Sequence, residues 1–382
     1  MREKFSHRLI YIDAMRGFVI ILMMLDHVRE TFFLHQQVGD PINVQTTDFW
    51  LFFSRSLAHI CAPIFVLLTG ISASLYAQKV QSKKDVSGFL LKRGLLLILL
   101  EVTIINFAWT FQFPPKVIYL QVIWAIGLSM IALSAIIWLH RTWIGILGLV
   151  IIVGHNLLDG FHFPADSFFY IPWAILHDRS WIEFGDNLRI RTSYPVLPWI
   201  GVIALGYSIG GLFIKSMPSL KRQTILLTTG IVTIFIFLSL RFLNAYGEKP
   251  WHEGDTLLQT SMSFFNITKY PPSLLFLLLT LGIGCILIAL FEKFQNTKLI
   301  GWLAVFGSVP MFFYVFHLYI LKFLYVGAVS IWGLNQGQYF GFDTISSVWL
   351  CSIILIIALY FPVRSFARFK AKRRDITWLK YF

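Results

Sequence analysis

Ionisable side chains interrupt five of the ten long apolar runs in this sequence. One such group at the centre of a bilayer costs about 2.5 to 3.5 kcal/mol, so each needs a partner or a function. The polar residues are Asp13, Arg16, Asp26, His27 and Arg29 in the first run, Arg55 and His59 in the second, Glu101 in the third, His155 and Asn156 in the fifth, and His317 and Lys322 in the ninth. Histidine accepts and returns a proton near neutral pH, so this set predicts proton-transfer chemistry.

The depth of these residues in a membrane follows from the helical rise of ~1.5 Å per residue. His27 would lie ~20 Å beyond Ala14 in an outward-running helix, and His59 ~15 Å below Phe49 in an inward-running one. Both positions fall in the outer half of the membrane, as do His155 and His317, and Glu101 lies near its middle. We therefore expect a polar cavity that opens outward, with His27, Asp26 and His59 as its catalytic residues. The alternative for any single histidine is a hydrogen-bonded packing role.

The carboxylate that would orient His27 stays open. Asp26 is its sequence neighbour, and adjacent side chains on a helix point about 100° apart, so Glu101 from another helix is an equal candidate. A metal held by three histidines is a further alternative, but the sequence has no His-x3-His or HExxH spacing, and we expect no metal. The three cysteines lie inside apolar runs without ligand spacing and are interpreted as packing residues.

The elements that must hold these side chains are membrane helices. Of the 382 residues, 57% are hydrophobic and 13% charged, against roughly 25% charged in a soluble domain, which excludes a soluble enzyme. Runs long enough to cross a ~30 Å hydrocarbon core are Leu9 to Leu34, Phe49 to Gln78, Gly88 to Phe111, Val117 to His140, Trp143 to Leu158, Tyr194 to Ile214, Thr224 to Asn244, Pro272 to Phe294, Leu299 to Val326 and Ile345 to Val363. The sequence therefore predicts an all-α, polytopic membrane helix bundle of about ten transmembrane helices.

The basic residues indicate how this bundle is oriented. A net charge of +13 could attract nucleic acid, but the basic residues lie between apolar runs rather than on one folded face, so no nucleic-acid partner is expected. Alternate loops carry about three times as many Lys and Arg residues as the loops between them, which predicts that both termini lie inside. We interpret residues 1–382 as a single transmembrane domain, with loops 159–193 and 246–271 as lids and residues 364–382 as a basic cytosolic tail.

Two smaller groups of residues have alternative interpretations. Trp199, Lys269 and Tyr270 lie at outer helix starts, where they would either anchor the interface or bind a sugar. Asp13 and Arg16 are three residues apart, a spacing that allows a salt bridge bracing the first helix. Arg16 could also contact a phosphate of coenzyme A.

The motifs in these runs resemble a known family. The segments are RLIYIDAMRGFVIILMMLDH, AHICAPIFVLLTGISA, GHNLLDG, YPVLPWIGVIALGYSIG, KYPPSLLFLLLTLG and FGSVPMFFYVFHLYILK. They are similar to the bacterial DUF1624 proteins and to the heparan-alpha-glucosaminide N-acetyltransferase catalytic domain family, within the transmembrane acyltransferase superfamily. The resemblance extends from Arg8 to about Lys322.

This resemblance implies transfer of an acetyl or other acyl group from a cytosolic CoA thioester to the amine or hydroxyl of a sugar on the far side. In the family's sugar N-acetyltransferase an essential histidine follows span one, and His35 is its nearest match here. The more distant acyltransferases carry a histidine near the end of span one, which favours His27. The span-two aspartate of that enzyme falls at His59, so the acceptor sugar, and the choice of amine or hydroxyl, stay open.

The hypothesis at this point is a membrane acyltransferase that uses acetyl-CoA or another acyl-CoA as co-substrate. His27 would deprotonate the acceptor or be acylated itself, while His59 or His317 would supply a second proton or position the thioester carbonyl. Residues assigned to substrate or donor binding are Arg29, Arg55, Glu101, His155, Asn156, His317, Trp199, Lys269 and Tyr270. The expected partners are the lipid bilayer, acyl-CoA and a sugar or glycan acceptor, with a homodimer left open. The expected location is the inner (cytoplasmic) membrane of the cell.

The rival hypothesis is a proton-coupled transporter or flippase, because a helical bundle with an outward polar cavity would also suit a carrier. Two features of the sequence argue against it. No repeated halves are visible, and Gly/Pro-interrupted segments at corresponding positions of two halves are missing.

Overall fold

A computed structural model describes residues 9–185, 187–373, 375–376 and 379 of the chain. The helices are α1 (Ile10–Phe32), α2 (Phe49–Ala58), α3 (Cys61–Val80), α4 (Lys83–Leu100), α5 (Asn106–Thr110), α6 (Val122–Ile136), α7 (Arg141–Gly154), α8 (Tyr170–Leu176), α9 (Leu197–Ile209), α10 (Ser219–Leu243), α11 (Leu257–Phe265), α12 (Leu274–Lys293), α13 (Lys298–Gly307), α14 (Pro310–Trp332) and α15 (Ile345–Lys372). Short 3-10 turns are Leu34–Gln36, His155–Leu158 and Gly210–Phe213, and Glu101–Ile105 forms a π-helical turn between α4 and α5. The strands are β1 (Val117–Leu120), β2 (Trp181–Phe184) and β3 (Leu188–Thr192).

Six helical segments of the described chain are long and apolar enough to cross a membrane. They are Phe49–Val80, Arg141–Leu158, Ser219–Leu243, Leu274–Lys293, Pro310–Trp332 and Ile345–Lys372. Several of these helices expose large apolar side chains, as α10 does at Ile231, Phe235 and Phe242. Helices that are apolar on their outer faces are typical of membrane spans. The prediction of a helical membrane bundle is confirmed, and the count of ten spans with both termini inside stays a prediction.

Several of the predicted spans have a different internal structure, among them the ninth and the fourth. The ninth, Leu299 to Val326, consists of α13 and α14, which are separated at Ser308 and Val309. The break falls before Pro310, because proline donates no backbone hydrogen bond and suits the first turn of a new helix. The fourth, Val117 to His140, begins as strand β1 and becomes helical only at Val122.

The three strands form a small sheet in the order β1-β3-β2. β1 pairs with β3 in parallel, with Val117 opposite Arg189, and β2 pairs with β3 antiparallel, with Trp181 opposite Arg191. The Asn106 side chain holds β1 through two hydrogen bonds: Nδ2 donates to the carbonyl oxygen of Val117, and Oδ1 accepts from the backbone N–H of Tyr119. Loop 159–193, to which the sequence assigned no secondary structure, therefore contains a helix and two strands.

Helix α1 is the centre of the bundle and packs against α2, α3, α12, α13, α14 and α15. Gly17 and Gly307 allow α1 and α13 to approach closely, since a Cβ on Gly17 would overlap the backbone carbonyl of Leu303. We call the end of the bundle where α1 begins the proximal end, and the end where α1 finishes the distal end. A buried ion pair between Arg222 of α10 and Glu292 of α12 joins those two helices near the proximal end.

Candidate functional site

Two buried histidines from α1 and α14 contact each other inside the bundle. Nδ1 of His27 lies 2.6 Å from Nε2 of His317, and the two rings are nearly parallel with centroids 4.9 Å apart. Nδ1 of His317 lies 2.7 Å from the carbonyl oxygen of Phe313. Because a carbonyl oxygen only accepts, Nδ1 of His317 carries a proton; with both rings neutral, Nε2 of His317 accepts from Nδ1–H of His27. The lone pair of Nε2 of His27 is then the basic group of the pair.

Aromatic side chains surround this histidine pair. The ring of Trp109 lies 5.2 Å from that of His27, and the ring of Tyr314 lies 5.9 Å from His27 and 5.7 Å from His317. Tyr314 is 4% exposed, and its hydroxyl has no hydrogen-bond partner within the described residues. The sequence analysis missed Tyr314, although it precedes His317 by three residues and so shares its helix face.

Asp26 does not orient His27, in agreement with the angle between adjacent side chains on a helix. Its carboxylate instead accepts a hydrogen bond of 2.8 Å from the Arg29 guanidinium and lies 3.7 Å from Nζ of Lys269. Burial disfavours the charged form of Lys269, but Tyr270 and Asp26 outweigh that effect and raise its pKa above the ordinary value. Lys269 therefore stays protonated, and a buried charge network lies beside the histidine pair.

A second carboxylate, Asp40, extends this network toward α2. It accepts hydrogen bonds from the backbone N–H groups of Lys269 and Tyr270, and it lies 3.5 Å from the Arg55 guanidinium. Asp40 follows α1 in a loop that no apolar run includes, so sequence reasoning overlooked it. His59 lies at the break between α2 and α3, and its Nε2 atom is buried without a partner in the described chain.

Glu101 contacts the start of a neighbouring helix, and its assignment to substrate or donor binding stays a prediction. Its Oε2 accepts a hydrogen bond of 3.1 Å from the backbone N–H of Trp124, in the first turn of α6. A carboxylate in that position caps the helix and interacts favourably with its dipole. No hydrogen bond joins Glu101 to His27 among the described residues.

The predicted interfacial residues lie together near the distal end. The hydroxyl groups of Tyr270 and Tyr194 are 3.2 Å apart, and the Arg179 guanidinium stacks 4.6 Å from the Tyr270 ring. Trp199 is completely buried next to Tyr194, so its ring packs inside the protein rather than on an open surface.

His155 and Asn156 lie apart from the histidine pair. Both belong to the 3-10 turn after α7, and Asn156 contacts the first backbone N–H of α12, on Leu274. His155, Asp159 and His177 each offer one ligand atom, and these atoms all lie within 4.8 Å of one another. This is the group of described residues that could hold a metal ion.

A cavity leads from the proximal end, beside Asp13 and Arg16, toward Tyr314 next to the histidine pair. Its volume is about 460 Å³. Residues along its length include Asp13, Arg16, Ser72, Arg93, Lys370, Phe65, Leu97, Ile126, Met130, Met23, Met311 and Tyr314. Met23 lies one helical turn before His27, and the Tyr314 ring packs against both histidines, so the cavity reaches residues that adjoin the pair. Sequence analysis expected a cavity in the outer half, whereas this one extends toward Asp13 and Arg16.

Arg16 occupies the proximal part of the same cavity. Its guanidinium donates to the Asp13 carboxylate at 2.9 Å and to the Ser72 hydroxyl at 2.5 Å. The predicted Asp13–Arg16 salt bridge is confirmed. Basic and hydroxyl groups therefore line the proximal part, and apolar side chains line the interior.

Apolar spanning helices and a buried polar site reached by a cavity define a multi-pass membrane protein. The family described as Heparan-alpha-glucosaminide N-acetyltransferase, catalytic, matches residues 8–250. Because this match covers more than half of the chain, the protein belongs to that family and is a transferase. The match includes His27, His59 and Glu101 and ends before Lys269 and His317. No curated protein matches the chain in a sequence comparison.

Proposed function

We propose that this protein transfers an acetyl or other acyl group from a CoA thioester, bound from the proximal side, to an amine or hydroxyl of a sugar or glycan bound from the distal side. The observation that carries this proposal is the position of Tyr314. It lines the cavity from the proximal end and also packs against both histidines. A donor in that cavity would place its reactive end next to Tyr314, whose ring packs against both histidines.

The cavity suits an acyl-CoA because charged side chains line one part of it and apolar side chains line the rest. Arg16, Arg93 and Lys370 supply positive charge that would attract the phosphates of the nucleotide. Deeper in, apolar side chains such as Phe65 and Met130 suit the pantetheine arm and acyl chain. The volume of about 460 Å³ lies within the usual range for small-molecule sites.

The residues around the pair support a direct transfer. Nε2 of His27 takes the proton from the acceptor, whose nitrogen or oxygen attacks the thioester carbonyl, and the Tyr314 hydroxyl donates a hydrogen bond to the resulting oxyanion. When the C–S bond breaks, the CoA sulfur leaves with the electron pair and receives the proton from His27. His317 holds Nδ1–H of His27 and so keeps Nε2 basic. A transiently acylated His27 is the alternative route to the same products.

The acceptor would bind at the charge network and the aromatic cluster toward the distal end. Lys269 and Arg29 are protonated there and balanced by Asp26 and Asp40, so polar groups already lie beside the pair. Tyr270 offers a ring next to Arg179, an arrangement compatible with stacking on a sugar. We place the enzyme in the inner membrane of the cell, with the proximal end facing the cytosol.

The test is transfer of label by the purified protein. The full chain in detergent would be given acetyl-CoA labelled in the acetyl group, together with a panel of amino sugars and glycans. We expect labelled acceptor and stoichiometric release of CoA thiol. If label reaches no acceptor and CoA does not bind, the proposal is wrong; CoA-independent counterflow of sugar in proteoliposomes would support the transporter instead.

A further inference from the structure

A second pair of buried histidines lies near the distal end, away from the proposed catalytic pair. His155 begins the 3-10 turn that follows α7, Asp159 ends that turn, and His177 follows α8. One ligand atom from each of the three lies within 4.8 Å of the others. The sequence has no His-x3-His spacing; here the spacing is His-x3-Asp, and the histidine that follows α8 completes the group.

The imidazole of His155 lacks the hydrogen bonds that a buried ring needs. It is 2% exposed, and neither of its ring nitrogens has a partner among the described residues. Nδ1 of His177 is likewise buried without a hydrogen bond in the described chain, with Oδ1 of Asp178 3.6 Å away. Buried polar atoms are nearly always satisfied, so these nitrogens need an explanation. A bound cation would provide one, because each neutral imidazole offers a lone pair to a metal.

The carboxylate of Asp159 is held in place as metal-binding carboxylates are. Its Oδ2 accepts a hydrogen bond of 2.8 Å from Nδ2 of Asn156, and Asn156 in turn accepts one of 2.8 Å from the backbone N–H of Leu274. The other oxygen, Oδ1, lies 3.3 Å from Nε2 of His177. Outer partners that orient a ligand in this way are a regular feature of metal sites.

The distances fit a small tetrahedral ion. With bonds of about 2.0 to 2.1 Å, two ligand atoms on tetrahedral zinc are about 3.3 Å apart. Oδ1 of Asp159 and Nε2 of His177 already have this separation, at 3.3 Å, and the ligand atoms of all three residues lie within 4.8 Å of one another. Nε2 of His177 lies 3.0 Å from the backbone carbonyl of His155. A cation bound at Nε2 would replace the proton that Nε2 donates to this carbonyl. Nδ1 would then carry the proton and face Oδ1 of Asp178, 3.6 Å away, as an outer contact.

We propose that His155, Asp159 and His177 bind one divalent cation of the zinc class. Two imidazole nitrogens and a carboxylate oxygen form the protein ligands, and water completes the coordination, because the Asp159 side chain is half exposed. The ion joins the end of α7 to the end of α8 and, through Asn156, to the start of α12. Its role is to fix the folded segment of loop 159–193 on the bundle.

Cobalt binding tests this site without any assay of transfer. Purified full-length protein without a histidine tag would be stripped with a chelator, dialysed in detergent and titrated with Co²⁺. We expect one Co²⁺ per chain, visible absorption bands of tetrahedral cobalt, loss of those bands when Zn²⁺ is added, and a melting temperature that rises with metal concentration. A wild-type protein that binds no Co²⁺ or Zn²⁺ overturns the proposal.

Variants assign the ligands. Asp159→Asn changes a half-exposed side chain, so it should fold, and we expect at least a ~10-fold loss of Co²⁺ affinity; Asn156→Ala, which removes the outer partner, should cost ~10- to 100-fold. Asp166→Asn is the matched control, since it makes the same substitution at an exposed aspartate of the same loop. It should bind Co²⁺ as the wild type does. Equal affinity and equal spectra for Asp159→Asn and the wild type would show that the cation binds elsewhere and contradict the assignment.

Discussion

The two pairs of buried histidines in this protein differ in what their nitrogens contact. In the first pair, His27 and His317 contact each other, and a backbone carbonyl fixes the proton on His317. In the second, His155 has no hydrogen bond from either ring nitrogen within the described chain, and His177 lies against a carboxylate. The same side chain therefore suits proton transfer at one site and cation binding at the other. The hydrogen-bond partners, rather than burial, make the difference.

The strongest test of this comparison removes the basic nitrogen of the first pair. His27→Ala should lower the rate of acyl transfer by about 10³- to 10⁴-fold, because no other group of the pair is placed to take the acceptor proton. The measurement is label transfer under single-turnover conditions. The variant should still bind one Co²⁺ at the second pair, which shows that it is folded; full transfer activity would remove His27 from the mechanism.

Tyr314→Phe should give the next largest effect. It keeps the aromatic contacts with both histidines but removes the hydroxyl, and loss of one oxyanion donor costs about 10²- to 10³-fold in kcat. We expect kcat to fall while KM for acetyl-CoA stays nearly constant. A change in KM alone would mean that Tyr314 shapes the cavity and takes no part in the chemistry.

His317 is proposed to act through His27, and its substitutions should separate positioning from packing. His317→Ala frees the tautomer and orientation of His27, and we expect about a 10²-fold loss of kcat. His317→Gln retains an oxygen that can accept from Nδ1–H of His27, so it should recover much of that loss. If both variants lose the same amount of kcat and have the same melting temperature, the hydrogen bond from His27 to residue 317 does not explain the loss.

The smallest expected effect concerns the proximal part of the cavity. Arg16→Ala removes one positive charge and should raise KM for acetyl-CoA by about 10-fold, with kcat nearly unchanged, because a phosphate contact contributes equally to the ground state and the transition state. Initial rates over a range of acetyl-CoA concentrations test this. Ser72→Ala, which removes only the hydroxyl that Arg16 contacts, is the matched control and should change KM less. If Arg16→Ala lowers kcat by as much as it raises KM, Arg16 instead braces the structure.

Sequence reasoning identified the first pair only in part. The depth estimate from the helical rise brought His27 and His317 to one level, and the structure joins them. The same estimate grouped His155 with them, but depth says nothing about the position of a helix around the bundle. Glu101 was considered as the partner of His27 and instead caps α6, because a helix start from another segment lies within its reach.

Residues outside the apolar runs were the hardest to foresee. Asp40 and His177 lie in connecting segments, and their importance comes from contacts with Lys269 and His155, which are distant in sequence. Tyr314 was overlooked for a different reason. An aromatic residue in an apolar helix carries no signal of its own until the cavity that it lines is known.

The sequence by itself determined the class of the protein, since hydrophobicity and charge act locally and add up along each helix. The length and apolarity of each run predicted membrane helices. Pro310 lies at the point where the ninth run divides into α13 and α14. Only the tertiary structure decided which polar groups meet. His27 and His317 are 290 residues apart, and their hydrogen bond depends on how α1 and α14 are rotated and tilted against each other. Those angles arise from the packing of many side chains together, which no single segment encodes.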